Sequence, residues 1–191
     1  DLGRENVLVG ANVGDSLTHA DYNVAIGNGS LGADTLGHKS TAVGYATLNA
    51  QNFTSSTDTH NTAVGYFAGV AITTGVQNTI IGSLAGDALT DADNNVAVGY
   101  LALTTDTQGS RSTAIGNQAL QLQNFSSATE TYNTAVGYFA GKSVTTGTVN
   151  TFIGGLSGDA NTTGDYNVAI GINALTADTK GSRSVAIGDS A

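Results

Sequence analysis

A five-position pattern of polar and apolar residues recurs along the whole chain. It begins with Asn or Ser and continues with Thr or Val, then Ala in eight of eleven copies, then Val or Ile, and finally Gly. This alternation has the period of two that is typical of a β-strand, and helical periodicity is missing. The pattern therefore predicts a short strand before each of eleven glycines, namely Gly10, Gly27, Gly44, Gly65, Gly82, Gly99, Gly116, Gly137, Gly154, Gly171 and Gly188.

The spacing of these glycines predicts a solenoid. Successive glycines bound 17-residue intervals, except for the two 21-residue intervals from Gly44 to Gly65 and from Gly116 to Gly137. Three shorter intervals and one longer interval make a super-repeat of four coils, and residues 61–116 match residues 133–188 at 38 of 56 positions. Units of this size cannot bury an apolar face alone, so they stack on their neighbours. Eleven coils at the spacing of β-strands would form a rod on the order of 50 Å long.

A second signature predicts another corner in each coil. Every 17-residue interval has Thr eight residues after the glycine, and Gly or Ala follows two residues later. Glycine permits positive φ at tight corners, so we expect two strands of about four or five residues in each coil. The Asn or Ser column is expected at the corner before the first strand, bonded to nearby backbone.

The pleat also suggests which side chains point into the coil. Because side chains alternate, the Thr or Val and the Val or Ile of each strand share one face and the Ala lies on the other. We expect the β-branched face, including Val98, to line the interior. The Ala face, including Ala63, Ala97, Ala135 and Ala169, is then free for the close approach of another chain.

The repeats resemble those of a known class of surface proteins. Residues 164–171 read Gly–Asp–Tyr–Asn–Val–Ala–Ile–Gly, and residues 181–188 read Gly–Ser–Arg–Ser–Val–Ala–Ile–Gly. These units resemble the head repeats of the YadA-like trimeric autotransporter adhesins, although the 17-residue unit is longer than is usual there. The Gly–Tyr variants at Gly65–Gly69 and Gly99–Leu103 are similar to repeats of phage tail fibres and bacterial surface fibres. The resemblance implies a left-handed β-roll, three chains side by side, and an extracellular adhesive role on a bacterial surface or a virion.

Composition and charge exclude several classes of function. The 191 residues contain 6 Lys and Arg against 15 Asp and Glu, for a net charge of −9, which disfavours binding to nucleic acid. The chain has no Cys, so disulfides, thiolate metal sites and cysteine nucleophiles are excluded. No apolar run approaches the ~18 residues of a membrane span. The sequence starts at Asp1 rather than Met, which indicates a fragment or a processed product, and neither end carries a capping sequence, so we expect a segment of a longer fibre that continues at both ends.

Residues that could carry chemistry do not form a recognisable site. Gly27–Gly32 matches the dinucleotide fingerprint, but the next coil leaves no room for the helix that the fingerprint needs. Two aspartate columns recur only once in each super-repeat, too far apart to share a calcium ion, so solvated corners are expected, with calcium at a chain junction left open. These columns are Asp15, Asp87 and Asp159, and Asp21, Asp93 and Asp165.

The histidines and glutamates do not suggest an enzyme either. His19, His38 and His60 lack the spacing of a metal site or a catalytic triad, and we expect them at surface corners. Glu5 and Glu130 are the only glutamates, and no pair of acids marks glycoside cleavage. We therefore predict no catalytic residues, no metal, no cofactor and no enzymatic activity.

The two 21-residue intervals are the candidate binding loops. Each repeats Gln–Asn–Phe, at Gln51–Phe53 and Gln123–Phe125. Four extra residues should bulge outward from the coil, and insertions on a repeat array often bind partners. Asn52, Phe53, Asn124 and Phe125 are the candidate contacts for a surface glycan or a protein receptor. Alternatively, the two Phe side chains fill an interface between chains.

These observations predict an all-β fold over residues 1–191, a parallel β-solenoid of about eleven coils that associates with itself as a homotrimer. The predicted function is that of a structural or adhesive fibre. The alternative is a monomeric solenoid that binds ice or carbohydrate through its Thr column or its 21-residue loops. The residue after each Thr varies, which favours ladders of hydroxyl groups at a corner over an ice-binding face.

Overall fold

The computed structural model describes residues 3–191, which contain fifteen short strands and no helix. Eleven strands have three residues and four have two. They are β1 (Val7–Val9), β2 (Val24–Ile26), β3 (Gly37–His38), β4 (Thr41–Val43), β5 (Thr57–Asp58), β6 (Thr62–Val64), β7 (Thr79–Ile81), β8 (Val96–Val98), β9 (Gly109–Ser110), β10 (Thr113–Ile115), β11 (Thr129–Glu130), β12 (Thr134–Val136), β13 (Thr151–Ile153), β14 (Val168–Ile170) and β15 (Val185–Ile187).

The eleven three-residue strands form one parallel sheet, in the order β1-β2-β4-β6-β7-β8-β10-β12-β13-β14-β15. Each strand pairs with the strand of the next coil in full register, as in Ala42 with Ala63 and Val43 with Val64. The register holds across the 21-residue coils because their extra residues lie outside the sheet. The predicted all-β parallel solenoid of about eleven turns is therefore confirmed.

The prediction of two strands of four or five residues per coil is wrong. The wall opposite the sheet consists of turns, and strand pairing occurs there only between β3 and β5 and between β9 and β11. Left-handed residues alternate in this wall, for example Ala46 at φ 51° and Leu48 at φ 49°, and they interrupt an extended strand. Adjacent turns still bond, since the Leu48 N–H donates to the Ala68 carbonyl at 3.2 Å.

The assignment of the two strand faces is also wrong. Ala42, Ala63 and Ala97 are fully buried inside the coil, whereas the neighbouring Val98 lies partly exposed on the outer face. In coils such as those of Ala42 and Ala97, the reason lies in the opposite wall, where a leucine four residues after the glycine fills the thin interior. These leucines include Leu31, Leu48, Leu103 and Leu120, all with no exposed surface. A methyl group is then the largest side chain that the strand can place opposite them.

Three coils reverse this distribution of volume. In two of them the strand carries a large side chain, Ile80 or Phe152. A glycine, Gly86 or Gly158, then takes the place of the leucine in the opposite wall. A Cβ atom added to Gly86 would lie 3.1 Å from Ile80 Cδ1, and one added to Gly158 would overlap the Phe152 ring. Leu8 and Gly14 form the same pair in the first coil, so the exchange recurs once in every four coils.

The asparagine column forms a buried ladder along the rod. The Asn78 N–H donates to Asn61 Oδ1 at 2.9 Å, and Asn61 Nδ2 donates to the Gly75 carbonyl at 2.7 Å. The same two bonds link Asn78 to Asn95 and to Ala92. The sequence indicated bonds to nearby backbone, but these partners lie 14 and 17 residues ahead, in the next coil. The column therefore joins successive coils.

Candidate functional site

The two 21-residue coils bulge outward, as predicted. Thr54, Ser55 and Ser56 are exposed in the first, and residues 126–128 are exposed in the second. An ion pair holds each bulge to the preceding coil, from Lys39 Nζ to Asp58 Oδ2 at 2.6 Å and from Arg111 to Glu130 at 2.9 Å. The hydrogen bond from Lys39 lowers the pKa of Asp58, while Glu130 has its pKa lowered first by the hydroxyl of Tyr132 and then by Arg111.

The aromatic contacts expected in these loops are not on the surface. Phe53 and Phe125 are only 5% and 8% exposed, so little of either ring remains for a receptor or for a neighbouring chain. Burying a phenyl ring is worth roughly 2 kcal/mol, which favours folding it beneath the loop. Asn52 and Asn124 are exposed, and Asn52 Oδ1 accepts a bond from the Thr35 hydroxyl at 3.0 Å.

A buried polar network explains why both loops carry Gln. Gln51 Nε2 donates to Asp34 Oδ2 at 2.6 Å and to Ser40 Oγ at 3.0 Å, and its Oε1 accepts from Asn61 Nδ2 at 2.9 Å. The Ser40 hydroxyl also bonds to Thr59 at 2.5 Å. The sequence analysis missed this network, although Asp34 and Gln51 stand in the interior column that holds Leu17, Ile72 and Leu89 in other coils.

The network recurs one super-repeat later with the same partners. Gln123 Nε2 bonds to Asp106 and to Ser112 Oγ, the latter at 2.8 Å, and its Oε1 accepts from Asn133 at 2.8 Å. All four side chains are fully buried. Both carboxylates have buried hydrogen-bond donors, so the arrangement fits a structural clamp across three coils better than a reactive site.

The histidines are divided between surface and interior. His19 and His60 are exposed, as expected, but His38 is 9% exposed. Its Nδ1 accepts from the Asp21 N–H at 2.8 Å, and its Nε2 lies 2.7 Å from Ser56 Oγ. The prediction of a surface corner is therefore wrong for His38, because the bulge of the next coil covers it.

Four of the six aspartates in the two columns accept hydrogen bonds. Asp93 and Asp165 each accept a backbone N–H of the preceding coil at 2.7 Å, and Asp21 accepts the Arg4 N–H at 2.6 Å. In the other column Asp15 is exposed, but burial raises the pKa of Asp87, which accepts a bond from the Thr104 hydroxyl.

No three His, Asp or Glu side chains within residues 3–191 are placed to hold a metal ion. The Gly27–Gly32 segment is a turn, and no helix follows it in the described range.

The threonine column forms the hydroxyl ladder that the sequence indicated. The Thr73 hydroxyl donates to the Thr90 carbonyl at 3.3 Å, and the Thr90 hydroxyl donates to the Thr107 carbonyl at 3.0 Å. Thr145 and Thr162 continue the pattern in the second super-repeat. These hydroxyl protons are committed to the backbone of the next coil.

The outer face of the sheet is an apolar stripe that runs the length of the solenoid. Its centre is the column of Val and Ile just before each glycine, where Ile81 and Ile153 are each 38% exposed. The flanking column is Thr or Val. We call this surface the outer stripe; its central residues are Val9, Ile26, Val43, Val64, Ile81, Val98, Ile115, Val136, Ile153, Ile170 and Ile187.

Aromatic side chains cluster beside the first 21-residue coil. The rings of Tyr45 and Tyr66 stack with centroids 5.5 Å apart, and Phe67 lies 5.4 Å from Tyr45 and 4.3 Å from Tyr66. Both tyrosines are about half exposed, at 49% and 51%. The Gly–Tyr–Phe run in the sequence could have indicated an aromatic cluster. That the rings stack on one another follows from the spacing of neighbouring coils, which the sequence does not give.

Two further observations bear on the nature of the chain. Residues 3–191 include no helix long and apolar enough to cross a membrane. No model of a known protein family matches the sequence, and no curated protein or solved structure matches it.

Proposed function

We propose that the chain is a structural and adhesive component of an extracellular fibre, in which three copies associate side by side through the outer stripe. The observation that carries this proposal is the stripe itself. Eleven consecutive rungs present a β-branched apolar side chain to solvent, in register and without interruption. Exposed apolar patches of this extent mark surfaces that other molecules cover.

The geometry of the stripe favours another copy of this chain as its partner. Its apolar groups repeat at the rung spacing of ~4.8 Å, which a parallel copy reproduces rung by rung. A globular partner would have to match the same period over the full rod. Identical chains related by rotation about a common axis bury the same surface and close the assembly. The number three comes from the resemblance to trimeric adhesin repeats.

Sedimentation velocity tests the proposal directly. The parent should sediment with three times the chain mass of 19.1 kDa. Ile81→Glu combined with Ile115→Glu places charges in the outer stripe and should yield monomers with an unchanged circular dichroism spectrum. The matched control is Leu122→Glu, which changes an exposed apolar residue outside the stripe and should leave the mass unchanged. A monomeric parent would overturn the proposal and favour the alternative of a monomeric solenoid that binds ice or carbohydrate.

A further inference from the structure

A groove of about 760 Å³ runs along the coil corner in the first super-repeat. Tyr45 and Phe67, from the third and fourth coils, form its aromatic wall, and Asn12 and Asp15 line it from the first coil. Asn28 and Asn49 add two carboxamides to the lining. This volume falls within the range of small-molecule sites, so the groove is large enough for a ligand of a few rings.

Two glycines keep the floor of the groove open. A Cβ atom at Gly32 would lie 2.8 Å from Asn49 Nδ2, and one at Gly29 would lie 3.4 Å from the same atom. Asn49 Nδ2 donates to the Gly29 carbonyl at 2.7 Å, which fixes the amide at the floor. Any larger side chain at either glycine would displace that amide or fill the space above it.

The second super-repeat shows that the solenoid itself does not require these residues. Leu101 stands in the position of Gly29, with a similar left-handed backbone at φ 55° compared with 71°. Tyr100 and Asn117 stand in the positions of Asn28 and Tyr45. Both sets fold into the same coil, so the small floor and the aromatic wall of the first super-repeat are features of its surface and not of its packing.

From this arrangement we infer that the groove binds a neutral oligosaccharide. A sugar ring has an apolar C–H face that packs on an aromatic ring and a rim of hydroxyl groups that bond to amides and carboxylates. The groove offers both, with the rings of Tyr45 and Phe67 and the polar side chains of Asn12, Asp15 and Asn49. No Lys, Arg or His lines it, so an anionic ligand would lack a counter-charge.

The inference names a ligand class for the proposed attachment role and in that respect rests on it. The two ideas are nevertheless measured separately. Self-association is measured as the mass of the particle and depends on the outer stripe. Saccharide binding is measured by titration and depends on residues of the groove. A parent that is monomeric but binds sugar would overturn only the assembly, and a trimer that binds no sugar would overturn only the groove.

The test titrates the whole chain with maltotriose, cellotriose and triacetylchitotriose. The NMR signals of the asparagine side-chain amides report binding. At least one of these neutral trisaccharides should shift the signals of Asn12, Asn28 and Asn49. Tyr45→Asn and Gly29→Leu, which copy the second super-repeat, should each weaken that binding about tenfold. Tyr100→Asn changes a tyrosine of the same column outside the groove and should leave the affinity unchanged.

Two results would overturn the inference. One is the absence of any shift with all three sugars at concentrations where a single stacked ring would bind. The other is equal affinity in the parent and in Gly29→Leu, because a filled floor cannot hold the same ligand. The spectra report the fold of each variant in the same experiment, so a loss of binding through unfolding is recognised at once.

Discussion

Gln51 Nε2 donates to Asp34 Oδ2 at 2.6 Å, and both side chains have no exposed surface. Replacing Gln51 by Leu removes a donor from a buried carboxylate and an acceptor from Asn61. A buried carboxylate that loses a hydrogen-bond donor destabilises the folded state, so Gln51→Leu should lower the free energy of unfolding by about 3 kcal/mol. Urea denaturation monitored by circular dichroism measures the change.

The second super-repeat supplies the control for this prediction. Gln123→Leu alters the equivalent network four coils further along and should lower the stability by a similar amount. Adding Asp34→Leu to Gln51→Leu removes both partners and should recover part of the loss. A Gln51→Leu variant as stable as the parent would mean that the network contributes nothing to folding.

Ala97 tests the corrected assignment of the strand faces. Ala97→Leu introduces three carbon atoms opposite Leu103 and should cost ~1–3 kcal/mol within a single chain, because the interior is already filled. Adding Leu103→Gly copies the Ile80 and Gly86 pair and should restore most of the stability. Thermal unfolding compares the variants, with Ala177→Leu, the same change at an exposed position outside the outer stripe, as the neutral control. If Ala97 faced outward, adding Leu103→Gly would not restore the stability lost in Ala97→Leu.

Asp87 should make stability depend on pH in a defined direction. Burial raises the pKa of its carboxyl above the ordinary value of 3.8, and the hydrogen bond from Thr104 offsets this only in part. The folded chain therefore binds this proton more tightly than the unfolded chain does. The stability that it contributes is fully present below pH 3.8 and is lost as the pH rises through the raised pKa.

Asp87→Asn removes this dependence and should raise the unfolding temperature at neutral pH but not in acid. Asp15→Asn removes the same charge from the exposed position of the same column and controls for the net charge of −9. If Asp87→Asn and Asp15→Asn raised the unfolding temperature equally at neutral pH, the effect would come from reduced repulsion among the negative charges and not from the burial of Asp87.

Phe53 should be a determinant of stability. Phe53→Ala leaves a cavity under the first bulge and should cost about 3 kcal/mol, with faster proteolysis around residues 54–56. Ser55→Ala, at an exposed position of the same bulge, should change stability by less than ~0.5 kcal/mol. Limited proteolysis and urea denaturation report both effects. Resistance equal to the parent would show that the ring is not needed to hold the loop.

The sequence was sufficient for the period, the positions of the eleven sheet strands and the parallel stacking, because the glycine spacing determines them together. It was not sufficient for the direction of the faces. A period of two groups Ala97 apart from Val98, but only the thickness of the coil decides which one points inward. That thickness depends on Leu103 across the interior, a contact between two walls that a single strand does not reveal.

The surface features were harder to predict for a related reason. Four extra residues indicated an outward bulge, but not that Phe53 folds beneath it while Thr54 to Ser56 carry the exposed backbone. The groove was invisible because it depends on small residues at Gly29 and Gly32 facing larger ones in neighbouring coils. Such sites arise from differences between coils, whereas a repeat analysis emphasises what the coils share.

The exchange of volume between Leu8 and Gly14, Ile80 and Gly86, and Phe152 and Gly158 makes four coils a modular cassette. Loss of the single coil that carries Asp34 would set Gln51 against Leu17 instead of an aspartate. Recombination by a whole super-repeat rejoins coils of the same position in the cassette, so that each large strand residue still faces its glycine and each Gln its aspartate. Such a gene would therefore lengthen or shorten its product in steps of roughly 19 Å, the height of four rungs, while the alternation of large and small interior residues continues.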